Sequence, residues 1–133
     1  YGVGRKDARV LRVQSIPGIG KVFAPLVVSE IDDIDRFASP KKLHAYSGLV
    51  PSTYSSGGRT YHGRLTRVGN RYLRWAMVEA VWPAIQNDEG LNRYYQQIAR
   101  RKGANPAKVA TARRLLTIVY RVLKENREYR YVA

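Results

Sequence analysis

The sequence predicts an all-α fold of about six helices, and three of its features lead to this prediction. Apolar residues recur at the three- and four-residue spacing of one helix face in several segments. Glycine, proline and capping residues separate those segments at short intervals. No segment shows the sustained alternation of a half-buried strand. Leu26, Val27 and Val28 favour a strand by composition, but they lie inside a helical pattern.

Two short helices are predicted over residues 7–15 and 21–30, and a turn with the sequence IPGIGK separates them. With Ala24 after it, this turn resembles the helix-hairpin-helix motif. Its glycines let the backbone approach a phosphate closely, and its lysine adds a cation where the dipole of the second helix favours an anion. The residues predicted to bind nucleic acid here are Gly18, Gly20 and Lys21. An ordinary turn between helices is the alternative, and Pro25 is expected to kink the second helix.

A third helix is predicted from Ser39, a capping residue followed by proline, to the residue before Gly48, which closes it. Residues 37–51 resemble a degenerate second copy of the hairpin motif. Residues 51–63 then lack helical periodicity and are rich in serine, threonine, tyrosine and glycine, which predicts a loop.

Three further helices are predicted after this loop. Asn70 caps the first of them, and Pro83 is expected to end or kink it. Residues 89–102 form the second, and Gly103 stops it. Asn105, again followed by proline, is predicted to cap the last helix. The apolar stripe of that helix consists of Ala112, Leu115, Leu116, Val119, Val122 and Leu123.

The charge of the chain points to a polyanionic partner. Lysine and arginine number 24 against 10 acidic residues, for a net charge of +14 in 133 residues, the size of one domain or lobe. Nucleic acid is the first choice. A membrane is a distant second, because no stretch approaches the roughly 20 apolar residues of a spanning helix. The chain has no cysteine, which excludes zinc sites with thiolate ligands, disulfide scaffolds and thiol catalysis.

Residues 36–78 contain no aspartate or glutamate, so all the charged side chains of this stretch that are ionised at neutral pH are positive. The sequence YSSGGR, at residues 54–59, lies inside this stretch. A serine beside glycines in a cationic pocket suits phosphoryl transfer through a covalent serine, because glycines allow close approach and arginines stabilise charge on the phosphate. A merely flexible loop is the alternative. The arginines predicted to bind nucleic acid here are Arg59, Arg64, Arg67, Arg71 and Arg74.

Several motifs occur in a fixed order along the chain: SIPGIG at 15–20, AYSGLVP at 45–51, SSGG at 55–58, GRLT at 63–66 and GNRYLR at 69–74. Together they resemble the C-terminal "transposase 20" domain of the DEDD-type insertion-sequence transposases, the bridge-RNA-guided recombinases. The resemblance covers roughly residues 10–125. It divides the chain into a helix-hairpin-helix region at 10–51, a serine loop at 52–66 and a helical bundle at 67–126.

The resemblance implies catalysis through a serine. The serine of the family attacks DNA and forms a phosphoserine link; it falls on Ser56, directly before glycine, with Ser55 as the fallback. The resemblance also implies an N-terminal RuvC-like domain, absent from this chain, whose Asp-Glu-Asp-Asp set holds Mg²⁺ and completes a composite active site. We therefore expect no metal site or other cofactor in this chain, and no DNA cleavage by the chain alone.

The same resemblance implies the partners. These are DNA, a structured noncoding guide RNA and further copies of the full-length protein, in the prokaryotic cytoplasm near the nucleoid. No membrane partner is expected. A start at Tyr1 without a methionine leads us to expect a fragment of a longer chain.

Other interpretations of single residues stay open. His62 is a candidate base or phosphate contact, and His44 is expected to be packed or exposed on its helix. Tyrosine nucleophiles, if any, would be Tyr54 and Tyr61. The acidic cluster is interpreted as capping or solvated and only weakly as a metal site: Glu30, Asp32, Asp33 and Asp35. Trp75 and Trp82 are interpreted as a packing face against another helix or subunit. The alternatives for the whole chain are a DNA-binding module without chemistry and a structural RNA-binding domain.

Overall fold

The computed structural model of the chain describes residues 8–49 and 69–132, and these ranges contain α-helices, one 3-10 turn and no strand. The predicted all-α class is confirmed. Six of the described α-helices are seven or more residues long, as many as the sequence predicts. In chain order the elements are α1 (Ala8–Gln14), α2 (Gly20–Ile31), the 3-10 turn (Ile34–Arg36), α3 (Pro40–Ser47), α4 (Arg71–Asn87), α5 (Glu89–Lys102), α6 (Ala104–Glu125) and the short α7 (Tyr129–Val132).

Local capping explains where several of these helices begin and end. At the start of α4, the side chain of Asn70 accepts a hydrogen bond from the backbone N–H of Leu73 at 3.0 Å. Asp88 accepts one from the N–H of Leu91, also at 3.0 Å, at the start of α5. Gly48 closes α3 with a φ of +80°, a left-handed conformation that glycine adopts without a steric penalty. The caps predicted at Asn70 and Gly48 are therefore confirmed.

Two helix boundaries differ from the expected ones, although at Pro83 only one of the two expected outcomes, the end of the helix, is excluded. Pro83 does not end α4, which continues through it for four more residues. Ala84 and Ile85, directly after the proline, are buried, so burial of this stretch outweighs the backbone hydrogen bond that proline removes. The last helix begins two residues earlier than the predicted cap implies, because Gly103 rather than Asn105 is its cap. Asn105 therefore lies within the first turn of α6 rather than at its cap.

Helix α6 is central to the described fold, since it packs against α1, α3, α4, α5, α7 and the 3-10 turn. Its predicted stripe is buried, and burying each leucine contributes about 2 kcal/mol. The hydroxyl of Tyr120 donates to the carbonyl of Phe37 at 3.1 Å, which ties α6 to the segment before α3. No helix in the described ranges is both long and apolar enough to cross a lipid bilayer.

Candidate nucleic-acid interface

A proline–glycine pair builds the turn between α1 and α2. The N–H of Ile19 donates to the carbonyl of Ile16 at 3.2 Å, and Gly18, at the third position of the turn, has a φ of +88°. Proline at the second position and a glycine with positive φ at the third are the residues that a type II turn requires. Gly20 follows with a φ of +58° and begins α2.

The two glycines of this turn have different surroundings. A Cβ at Gly18 would lie 2.4 Å from the carbonyl oxygen of Ala80 and 2.7 Å from the amide nitrogen of Ala84, so the turn packs directly on the backbone of α4. A Cβ at Gly20 would have no atom within 4 Å. Gly20 and Lys21 are exposed at the start of α2 and are open to a phosphate. The missing side chain of Gly18, by contrast, is what allows the turn to contact α4.

The predicted serine loop falls outside the described residues, with Ser56, Ser55, Arg59, Arg64, Arg67, Tyr54, Tyr61 and His62. The described residues on either side of it are in direct contact. The N–H of Asn70 donates to the carbonyl of Tyr46 at 2.6 Å, and a Cβ at Gly69 would lie 2.8 Å from the Cα of Gly48. Residues 50–68 therefore leave and re-enter the described fold at one point, between the end of α3 and the start of α4.

A hydrogen-bonded network holds this point in position. The side-chain amide of Asn70 donates to a carboxylate oxygen of Glu30 at 2.8 Å and to the hydroxyl oxygen of Tyr46 at 3.2 Å. The Tyr46 hydroxyl in turn donates to the backbone carbonyl of Glu30 at 3.0 Å. The network joins the end of α2, the helix α3 and the first turn of α4. The sequence analysis missed this role of Glu30 because its partner is 40 residues away, and no local signal pairs the two.

The other three residues of the predicted acidic cluster make structural contacts within the fold. Asp33 caps the 3-10 turn by accepting a hydrogen bond from the N–H of Asp35 at 2.9 Å. The carboxylate of Asp35 forms an exposed ion pair with Lys124 at 2.8 Å. Arg9 donates to the backbone carbonyl of Asp32. Within the described ranges, no three histidine, aspartate or glutamate side chains are grouped so that they could hold a metal ion.

The arginines at the start of α4 differ in their surroundings. Arg71 is exposed, with its guanidinium 5.8 Å from the ring centroid of Tyr72. Arg74 is half-buried and donates to the backbone carbonyl of Ser47 at 3.5 Å, where a cation is favoured by the negative end of the α3 dipole. The first turn of α4 contains no acidic residue. Arg71 therefore adds positive charge to a helix N-terminus, an arrangement that favours a bound anion.

Three further residues singled out in the sequence contact neighbouring helices. The ring nitrogen Nε2 of half-buried His44 lies 2.9 Å from the hydroxyl oxygen of Thr117 on α6. Trp75 makes an edge contact with Phe23 of α2 at 5.4 Å between ring centroids. Trp82 packs on Tyr95 of α5 at 5.7 Å. Each tryptophan thus packs against another helix, while about half of its surface stays exposed.

The family model described as Transposase IS116/IS110/IS902 family matches residues 10–96, about two thirds of the chain. The chain belongs to this transposase family. The resemblance found in the sequence is therefore confirmed. The match includes α1 to α4 with the two predicted binding regions, and it ends inside α5. No solved structure matches this family member.

Curated relatives of this transposase-family chain come from several bacteria. A "Probable family 20 transposase" of Pseudomonas aeruginosa is 28% identical over 130 residues, which are 95% of this chain and 38% of that protein. The "Transposase for insertion sequence element IS1111A" of Coxiella burnetii is 30% identical over 96% of this chain and 36% of its own length. A "Pilin gene-inverting protein" of Moraxella bovis is 32% identical over 91% of this chain and 38% of its own length. The chain therefore spans less than two fifths of these relatives.

Proposed function

We propose that this chain is the C-terminal part of a DNA transposase or recombinase, that it binds DNA, and that it supplies Ser56 as the nucleophile for strand cleavage and exchange. The observation that carries the proposal is the anchoring of residues 50–68 at one point beside the exposed Arg71. Ser56 is seven residues from Leu49, so even a fully extended chain keeps it within about 25 Å of that anchor. The described residues on both sides of the serine loop and a candidate phosphate ligand, Arg71, thus lie at one end of the helical bundle.

The chemistry follows from a serine hydroxyl beside a phosphodiester. The Ser56 oxygen attacks phosphorus and forms an O–P bond, while the bond from phosphorus to one deoxyribose oxygen breaks. A base accepts the serine proton, and the leaving oxygen gains a proton. Attack by a deoxyribose hydroxyl on the phosphoserine then frees the serine and joins the new strands. Arg71 at the positive end of α4 would stabilise the charge on the phosphate.

Magnesium does not fit the described residues, which contain no suitable group of ligands. We assign the metal chemistry to an Asp-Glu-Asp-Asp domain outside this chain. The same proposal includes a structured guide RNA and a homo-oligomeric full-length protein as partners. Gly20 and Lys21, exposed at the start of α2, support additional backbone contacts of the helix-hairpin-helix type.

The test uses the full-length protein that carries this chain, with its RNA, Mg²⁺ and a labelled DNA target. We expect a covalent protein–DNA adduct on a denaturing gel for the wild type and for the matched control Ser55→Ala, and none for Ser56→Ala. An adduct that persists in Ser56→Ala would contradict the assignment. Its loss in Ser55→Ala alone would move the nucleophile to Ser55.

A DNA-binding module without chemistry is the second candidate, and the exposed start of α2 favours it. Such a module holds the DNA backbone but forms no bond to it. An active wild type that never forms an adduct, together with unchanged DNA affinity in Ser56→Ala, would favour this candidate over the serine mechanism.

A further inference from the structure

A polar cleft of about 720 Å³ lies between α3, α5, α6 and α7. The described residues that line it include four arginines and one carboxylate: Arg93, Arg113, Arg114, Arg121 and Asp88. None of these arginines lies in the acid-free stretch, so the charge pattern of the sequence did not single them out. His44 of α3 also lines the cleft, and burial and the nearby Arg113 lower its pKa.

The positive charge of the cleft is only weakly compensated. Arg93 and Arg121 pair with Glu89 at 3.9 Å and Glu125 at 3.5 Å, each one turn away on the same exposed helix surface. Such exposed pairs contribute little and separate easily. Arg113 and Arg114 form no salt bridge with a described residue, and the guanidinium of Arg114 lies 4.6 Å from the ring centroid of Tyr94.

The carboxylate of the cleft is already engaged. Asp88 accepts hydrogen bonds from the N–H of Leu91 at 3.0 Å and from the Tyr129 hydroxyl at 2.7 Å. Burial by itself would raise the pKa of Asp88, but the hydrogen bonds from Tyr129, Leu91 and Gly90 outweigh it and lower the pKa. Burial and the bond to Asp88 raise the pKa of Tyr129 to about 12, so the tyrosine remains a donor. The charged groups of the cleft that can donate hydrogen bonds to an anion are therefore the guanidinium groups of its arginines.

The spacing of these groups fits an extended anion. Arg113, Thr117 and Arg121 follow one another at four-residue intervals and share a face of α6. The two arginines are about 12 Å apart along the helix axis. Successive phosphates of one DNA strand are farther apart in space than their roughly 3.4 Å rise along the duplex axis, because the strand winds around that axis, so the two ends of this row can meet different phosphates of one strand. A single small anion would meet one end of the row only.

We propose that this cleft is a second DNA-binding site, which takes the phosphodiester backbone on the α5–α6 side of the molecule. Arginine can hold a phosphate through two parallel hydrogen bonds, and the half-buried position of Arg113 orients its guanidinium. The proposal rests on the proposed function in taking DNA as the ligand. It adds a contact surface that is built from different helices than the turn before α2 and the start of α4.

The test measures binding of a fluorescent DNA duplex by anisotropy at several salt concentrations. The variants are Arg113→Gln with Arg114→Gln, and, since Arg113 is half-buried, the exposed pair Arg93→Gln with Arg121→Gln as well. We expect each pair to weaken binding roughly tenfold and to reduce the slope of log K against log salt by about two. The matched control is Arg100→Gln with Arg101→Gln, which removes the same charge from exposed positions of α5 outside the cleft. We expect it to keep the slope.

Circular dichroism first establishes that each variant is folded. Unchanged slopes in both cleft pairs would overturn the proposal, and so would an equal loss in the control pair. Competition between the DNA duplex and a structured RNA is a further measurement on the same variants. Variants that lose affinity for the RNA but keep it for the duplex would also overturn the assignment to DNA. Ser56→Ala separates this proposal from the serine mechanism, because it is expected to lose the covalent adduct and keep both affinity and slope.

Discussion

Gly18 and Gly20 both have a positive φ, but a methyl group meets different surroundings at the two positions. At Gly18 it overlaps the backbone of α4, which cannot move aside cheaply, and at Gly20 it points into open space. We expect Gly18→Ala to lower the free energy of unfolding by roughly 3 kcal/mol or more, and Gly20→Ala by only about 1 kcal/mol from the left-handed backbone. Urea unfolding of the two variants measures the difference. Equal losses would mean that the turn does not pack on α4.

Residue type and local spacing predict some single positions and not others. The proline–glycine order was enough to predict the tight turn at Gly18, because positive φ is a local requirement. The sequence predicted that Arg71 and Arg74 both bind nucleic acid. The structure leaves Arg71 exposed, but it brings Arg74 to the carbonyl of Ser47, 27 residues away. That contact depends on how α3 meets α4, which the spacing of arginines within one helix does not encode.

Two helix starts with good capping residues differ in whether the cap is formed. Asn70 accepts the Leu73 N–H and also joins the network with Glu30, whereas Ser39 makes no side-chain capping bond at α3. We therefore expect Asn70→Ala to lower the free energy of unfolding by about 2 kcal/mol, and Ser39→Ala by less than about 0.5 kcal/mol. Thermal unfolding monitored by circular dichroism compares them. A cost for Ser39→Ala as large as that for Asn70→Ala would contradict the hydrogen-bonding pattern.

At the scale of helices, the sequence predicted the presence of each helix better than the residues at which it begins and ends. Caps and stops such as Asn70, Gly48 and Gly103 depend on a few neighbouring residues, so they can be recognised from the sequence alone. Pro83 does not end α4, because burial of the residues after it overrides the local preference of proline. Asn105 was predicted as the cap of α6 because Gly103, two residues earlier, was assigned only as the stop of α5. In the structure Gly103 has both roles, since it ends α5 and caps α6.

In the whole molecule, α4 fixes the relation between the two regions that the sequence singled out. The turn before α2 lies on α4 at Ala80 and Ala84, and the serine loop re-enters the fold at the start of the same helix, at Asn70. At 1.5 Å per residue, these points are about 15 to 21 Å apart along the axis. One continuous helix therefore holds the candidate hairpin and the base of the loop at a constant separation.

The arginine cleft belongs to the same scale, and this is why sequence analysis did not find it. Its residues come from α3, α5, α6 and α7, and each arginine taken alone fits the solvated face of an amphipathic helix. Only the packing of α6 between these helices brings the guanidinium groups together. The family resemblance, over roughly residues 10–125, includes the arginines of the cleft but singles out none of them.

The central position of α6 predicts that the described fold unfolds as one unit. Leu116 is fully buried on α6, whereas Leu11 on α1 is 58% exposed, so the same truncation tests burial at two sites. We expect Leu116→Ala to lower the free energy of unfolding by roughly 3 kcal/mol, and Leu11→Ala by less than about 1 kcal/mol.

Trp75 and Trp82, the two tryptophans of the chain, report on α4, while far-ultraviolet circular dichroism reports on all helices. In Leu116→Ala both signals should shift together, because α6 contacts α4 directly and connects it to α1, α3 and α7. A loss of ellipticity that leaves the tryptophan transition at its wild-type midpoint would show that α4 unfolds independently of α6.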